Sequence, residues 1–313
     1  MKYLYLPLLA LATFAGCEKP TQKAVDIVDL EAISLLGDSL FTPEHNTDTT
    51  SRLFINMRNA ERRLRQHPSE ENFVWFGRRL AYLGRYREAI DTYEHGLQQY
   101  PGSYRLHRHK GHRYITLRQF DKAIADFQQA AGLMPRDTIE TEPDGIPNKE
   151  NRPLSSTQFN VWYHLGLAHY LKGDFEEARN AYEQCMKVSV NDDLLCATAD
   201  WLYMTLRRLG SEQQAIDVLD TIHDDMNIIE NDAYFKRLMM YKGALDPDSL
   251  LSVSPDDPDP DLAIATQGYG VGNWYLCNGD TTQAVEVFRK VVEGRHWAAF
   301  GYIAAEAELA RLW

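Results

Sequence analysis

The chain has 313 residues and carries 33 lysines and arginines against 45 aspartates and glutamates, a formal charge of −12. Phosphate backbones are held by broad basic footprints, so a chain this acidic argues against a nucleic-acid partner. It is also longer than most domains built on a single core.

The first residues, MKYLYLPLLALATFAGC, run from a lysine through an apolar stretch to small residues before Cys17. The apolar stretch is too short to cross a bilayer, and residues 1–16 read as a secretory signal peptide. Phe14-Ala15-Gly16-Cys17 resembles the bacterial lipobox, with Phe14 where that pattern has leucine. The resemblance implies cleavage before Cys17 and lipidation, palmitate included, at that residue. Several acyl chains would hold the protein stably on a membrane, where one chain is marginal. An ordinary signal peptide with an incidental cysteine is the alternative. Glu18 after the cysteine resembles lipoproteins sent to the outer membrane. Removing residues 1–16 deletes one lysine and takes the charge from −12 to −13.

Residues 17–49 are mixed in character, and the apolar stretch from Ile27 to Leu40, interrupted by Gly37, predicts a tether followed by a short helix. From Thr50 to His67, Leu53, Met57, Ala60 and Leu64 fall at helical spacing before Pro68 stops the run. This predicts a lone helix capping the start of a stack.

Between Phe73 and Pro135 one pattern is written twice at a spacing of 34 residues: Gly77 recurs as Gly111, Ala89 as Ala123, Tyr93 as Phe127 and Pro101 as Pro135. Phe73, Phe76 and Leu80 supply bulk to a first helix, in which small Gly77 allows close approach. Ala89 and Tyr93 belong to a second helix, which Pro101 ends because it has no amide to donate. The second copy repeats this with Gly111, Tyr114, Phe120, Ala123, Phe127, Ala130 and Pro135. In period and residue type the pattern resembles the tetratricopeptide (TPR) repeat, a helix-turn-helix unit that buries its apolar face only by stacking on neighbours.

After Pro135, RDTIETEPDGIPNKENRPLSST is too rich in proline, glycine and charge for helix. Gly111 to Gly166 is 55 residues, one period plus an insertion of 21. The insertion, 138–158, reads as a folded flap beside the binding groove or as a loose surface loop. A third repeat starts at Phe159 and places Trp162, Leu165, Gly166, Gly173, Phe175, Ala178 and Tyr182 in pattern. A degenerate fourth starts near Cys196 and keeps Leu202, Gly210 and Ala215. A further helix over 230–241 lacks a partner, and an acidic, proline-rich connector leads to a last repeat from Ala265 through Phe288. The final helix, from Trp297 to Leu312, is apolar on one face and caps the stack. The resemblance implies an all-α fold, a right-handed superhelical solenoid of antiparallel helix pairs over 50–313, with repeats at about 70–103, 104–137, 159–192, 196–229 and 265–298. Cys185, Cys196 and Cys277 lack metal-ligand spacing. Cys185 and Cys196 fall on repeat positions as small buried residues, with a disulfide between them as the alternative.

In the TPR family, set positions on the first helix of each pair line a concave groove. Mapping them here implies Arg78 in repeat one; Arg105, Arg108 and His112 in repeat two; Asn160, Tyr163 and Tyr170 in repeat three; Asp200, Met204, Arg207 and Arg208 in repeat four; Tyr269 and Asn273 in the last. Arginine presents a planar fork suited to carboxylates, and tyrosine adds rigid contact area with a polar tip. The groove is therefore expected to bind an extended protein or peptide segment bearing a carboxylate or acidic side chains. Pairing of these arginines with Asp200 and nearby glutamates is the alternative. TPR co-chaperones clamp a C-terminal carboxylate with lysines and asparagines, but Val74 and Arg78 stand at two of those positions, so that ligand is not transferred. Histidines cluster as His107, His109 and His112, and His109 and His112, three apart, could share a metal ion, yet His107 falls on a core position and His112 on a groove position, so they point differently, and no metal or other cofactor is expected. The sequence holds no nucleophile elbow, P-loop, HExxH or dinucleotide fingerprint. The sequence thus predicts a non-enzymatic scaffold or adaptor, lipid-anchored in the bacterial cell envelope, on the outer membrane and facing the periplasm. The rival is an enzyme or small-ligand receptor using His112, Arg108 and Tyr163 beneath the 138–158 insertion.

Overall fold

The structure, a computed structural model, describes residues 30–43, 48–252 and 259–312. The expected signal peptide, Cys17 and the start of the expected tether lie outside the described residues. The chain opens with β1 (Leu30–Ile33) and β2 (Ser39–Phe41), then α1 (Arg52–Gln66), α2 (Glu70–Tyr82), α3 (Tyr86–Gln99), α4 (Tyr104–Thr116) and α5 (Phe120–Leu133). After the insertion come α6 (Thr157–Lys172), α7 (Phe175–Lys187), α8 (Asp192–Arg208), α9 (Glu212–Leu219) and α10 (Asp232–Tyr241). The end is built from α11 (Pro247–Leu251), α12 (Pro260–Cys277), α13 (Thr281–Val292) and α14 (Phe300–Leu312). Helices pair as α2/α3, α4/α5, α6/α7, α8/α9 and α12/α13, each pair stacked on its neighbours, so the expected all-α solenoid is what forms.

The first helix of each pair is started by a side chain. Ser69, Ser103, Ser156, Asn191 and Asp259 each accept from the backbone amide three residues on, satisfying a donor the helix leaves open. Between the two helices of a pair the turn is closed by backbone alone: Arg85, Gln119, Asp174, Ser211 and Asp280 each donate to the carbonyl five residues earlier. The residue before that donor is left-handed, and it is Gly84, Gly173, Gly210 and Gly279 in four turns but Arg118, at φ 61°, in the α4/α5 turn. A side chain in that conformation costs energy that something must hold in place. Here the guanidinium does so: it donates to the Trp297 carbonyl at 2.8 Å and to Glu306 Oε2 at 2.5 Å, with both side chains buried.

Within four of the five pairs, α8/α9 being the exception, a glycine on the first helix faces an aromatic ring on the second. A Cβ built on Gly77 would lie 2.2 Å from Tyr93, on Gly166 2.7 Å from Tyr182, on Gly272 2.5 Å from Phe288 and on Gly111 3.0 Å from Phe127. Those rings are buried to 1% exposure or less, so they cannot swing aside.

Two expectations are corrected. The short helix expected before residue 40 is a β-hairpin. Left-handed Gly37 turns the chain, the Ser34 hydroxyl accepts from the Leu36 and Asp38 amides, and Leu40 is buried between exposed neighbours, a period of two rather than 3.6. The hairpin sits at the start of α3, where Glu31 accepts from the Arg87 amide at 2.9 Å, and against Trp297, whose indole donates to the Phe41 carbonyl at 3.1 Å. The final helix, expected to be apolar on one face and to cap the stack, is buried along Gly301 to Leu309 and packs on α12, α13 and α6. Burial runs all round α14, Glu306 and Glu308 included, and a helix covered on every side belongs between others rather than on an end. Cys185 and Cys196 are free thiols, not a disulfide.

Replacing Gly77 by alanine gains roughly 1 kcal/mol of helix propensity but forces Tyr93 or the helix axis to move, an overpacking cost of about 1–3 kcal/mol. Gly77→Ala and Gly166→Ala are expected to lower Tm, and Gly111→Ala, with its wider contact, to lower it least. Thermal melts followed by far-UV circular dichroism check the order, and a rise in Tm for Gly77→Ala would refute the contact.

Candidate functional site

The concave groove to which the sequence assigns positions in five repeats is filled by the chain itself. At its C-terminal half α14 lies in it. Tyr170 and Tyr269 join hydroxyls at 2.7 Å, Tyr170 also donates to Asn273 at 3.2 Å, and all three side chains are inside the protein. Arg208 reaches Glu308 of α14 at 2.6 Å. Asp200 takes a two-pronged ion pair from Arg237 of α10, its Oδ1 2.9 Å from Nε, with both residues buried. Met204 is fully buried beside the same guanidinium. Arg207 is spent on the Tyr203 hydroxyl at 2.9 Å and the Cys277 carbonyl at 3.1 Å. Tyr163 donates to the Tyr234 hydroxyl at 3.0 Å. These residues lie on the inner face, as their repeat positions imply, but they serve packing because later parts of the chain cover them.

At the N-terminal half the insertion is folded onto the repeats. It pairs with the start of α6 through a bridge between Thr141 and Ser156, and Gln158 accepts from the Glu140 amide at 3.0 Å and donates to the Thr138 carbonyl at 2.7 Å. So held, residues 140–145 run along α2 and α4. Glu140 Oε2 accepts from the Tyr104 hydroxyl at 2.6 Å and from Arg105 at 3.0 Å, and these donors, Tyr104 first, hold its carboxyl below the usual range. Glu142 meets Arg108 at 3.1 Å, and its other oxygen accepts from Asn160 at 3.1 Å. The Pro143 carbonyl accepts from Arg78 at 2.9 Å and the Gly145 carbonyl from Arg79 at 3.0 Å. Arg78, Arg105, Arg108 and Asn160 are therefore gathered into one site by this segment. Between it and the two helices a cleft of about 150 Å³ remains, lined by Trp75, Arg78, Arg105, His109 and Glu142. The Arg105 side chain, 44% exposed, is within reach of an incoming ligand, whereas that of Arg108, at 8%, is not.

The mapping missed Trp75, Arg79 and Tyr82, which lie beside the expected groove positions. It also missed the glutamates of the insertion, whose alternation in Glu140-Thr141-Glu142 is the signal of an extended segment presenting two carboxylates to one side.

His112, Arg108 and Tyr163 do not converge as the rival enzyme or receptor site required. His112 lies tilted against the His164 ring at 4.5 Å and the Phe300 ring at 5.2 Å, Arg108 donates to His109 Nδ1 at 2.9 Å, and Tyr163 turns to Tyr234. His109 and His112 thus face different neighbours, and among the described residues no group of three His, Cys, Asp or Glu could hold a metal ion.

Family models of the tetratricopeptide repeat match residues 76–137 and 159–191. Tetratricopeptide repeats are thus recognised in those two stretches. Among solved structures it is similar to a tetratricopeptide repeat protein from Parabacteroides merdae, at 13% identity and a TM-score of 0.50, covering 86% of this chain and 96% of that one. It is also similar, at 13% identity and a TM-score of 0.42, to YrrB, a TPR protein described as having an unusual peptide-binding site, covering 76% of this chain and 92% of that one. At such identities the likeness concerns the fold. No curated protein matches the sequence. TPR proteins generally act in protein–protein interaction or scaffolding and are typically not enzymes.

Burial holds His109, His112 and His164 well below the usual imidazole range, with the cations of Arg108 and Arg113 acting in the same direction. In the unfolded TPR chain these rings titrate near ~6.5. Their contribution is fully present above that value and shrinks as pH falls below it, because only the unfolded chain then gains protons. Tm is expected to fall by a few degrees between pH 7.5 and pH 5.5, and His164→Phe, which keeps a ring against Phe127, to flatten the slope. Equal slopes in the two proteins would count against a neutral, buried His164.

Proposed function

We propose that the protein is a lipid-anchored TPR scaffold of the bacterial envelope, on the outer membrane and facing the periplasm, which binds protein partners through extended acidic segments. The observation that carries the ligand preference is the cleft beside α2 and α4, where Trp75, Arg78 and Arg105 remain reachable while the C-terminal half of the inner face is covered by α10 and α14. Arg78 lies over the Trp75 ring at 4.5 Å, a pre-set planar cation beside an aromatic wall. Such a surface suits a carboxylate on an extended chain, because the guanidinium fork and the ring need little ordering when the ligand arrives. Anchoring is supported by the sequence ending in Cys17 and by the chain between it and the first strand at Leu30, which leaves room for a tether.

Two experiments test this reading. In a pull-down from the envelope fraction of its native cells, a protein retained by the wild-type chain is expected to be lost by Arg78→Ala/Arg105→Ala, two substitutions that remove no buried charge. Identical retention by both proteins would show that the cleft is not the binding surface. For the anchor, mass spectrometry of the purified protein is expected to find Cys17 as the acylated first residue, with Cys17→Ser shifting the protein from membrane to soluble fraction. Membrane retention of Cys17→Ser would refute lipidation as the anchor.

A further inference from the structure

Resting on the acidic-segment reading above, we infer that residues 140–145 are an exchangeable internal occupant of the site. The Glu-x-Glu-Pro pattern they present is also the pattern of the partner that displaces them.

The segment behaves as a ligand in its contacts. Its two glutamate carboxylates and two of its carbonyls meet Arg105, Arg108, Arg78 and Arg79, cationic side chains of two different repeats, in the extended form in which a peptide would lie. Gly145 is fitted to its place: a Cβ there would lie 1.7 Å from the Tyr82 hydroxyl oxygen. Yet almost nothing apolar is buried by docking it. Ile139 is 49% and Ile146 68% exposed, and Thr141, Pro143 and residues 149–153 face water. The hydrophobic effect, which makes a packed element permanent, therefore contributes little here, and what holds the segment is a set of polar contacts that an incoming chain can replace one for one. Lifting it without replacement would leave the buried Arg108 cation without the Glu142 carboxylate and Asn160 without one of its two acceptors. The occupant is thus exchanged for a segment of like charge rather than simply released.

The consequence is competition. A tethered segment acts at a high effective concentration, so the affinity seen by a partner is reduced by the small fraction of molecules whose site is open. Disabling the internal occupant while keeping the arginines should expose the intrinsic affinity.

The test uses the full chain and, as probe, a fluorescein-labelled peptide of this protein's own residues 138–147, TIETEPDGIP. Binding is read by fluorescence anisotropy. Gly145→Val, which cannot seat against Tyr82, is expected to bind the probe at least about tenfold more tightly than wild type, and a peptide with both glutamates changed to glutamine is expected not to bind. Glu140→Gln/Glu142→Gln, which removes the internal charges without steric change, is expected to shift the affinity in the same direction and carries the test if Gly145→Val fails to fold. Adding Arg78→Ala/Arg105→Ala to either variant should abolish the gain. Equal, arginine-dependent affinity in wild type and both variants would overturn internal occupancy while leaving the acidic-segment reading standing. Absence of binding by every variant would overturn both.

Discussion

The contact between a glycine on one helix and an aromatic ring on the next sets the geometry from which the rest of this protein follows. At Gly77, Gly111, Gly166 and Gly272 the ring of Tyr93, Phe127, Tyr182 or Phe288 occupies the space a Cβ would need. The two helices of these four pairs are thereby locked at close range, and their remaining apolar residues can be covered only by the next pair. Stacking is thus a requirement of each unit, and the solenoid is its outcome.

A stack of this kind leaves a concave face, and here that face is occupied by the chain itself. The C-terminal half is filled by α14, whose Glu306 and Glu308 are buried against Arg118 and Arg208. Removing one member of such a buried pair costs about 3–5 kcal/mol, because the other charge is left in an apolar setting. The pairs therefore fix where α14 must lie, and Arg118 accepts a left-handed backbone to take part. The N-terminal half is filled by the insertion, which is held by polar contacts, half-exposed at Arg105 and Glu140 and buried at Arg108 and Glu142, with little apolar burial. One filling is core and the other is surface, which is why binding is assigned to the second.

The site residues show the same division. Arg78, Arg105, Arg108 and Asn160 were legible as inner-face cations and amides from repeat position, and they do meet at one place. Tyr163, Tyr170, Asp200, Met204, Tyr269 and Asn273 were legible by the same rule and lie on the same face, yet they are inside the protein. Repeat position specifies which way a side chain points, not what lies in front of it.

The sequence by itself determined the local units. Glycine, alanine, aromatic and proline positions recurring at 34 residues specify helix, close approach, turn and stop, because these depend on residues near one another in the chain. It also carried the charges of the inner face. The tertiary structure alone decided the hairpin's place between α3 and Trp297, the path of α14 back through the stack and the docking of the insertion on α2 and α4. Each rests on contacts between residues distant in sequence, such as Arg118 with Glu306 or Arg79 with Gly145. No local pattern encodes such a meeting, since it exists only once the superhelix has brought its turns together.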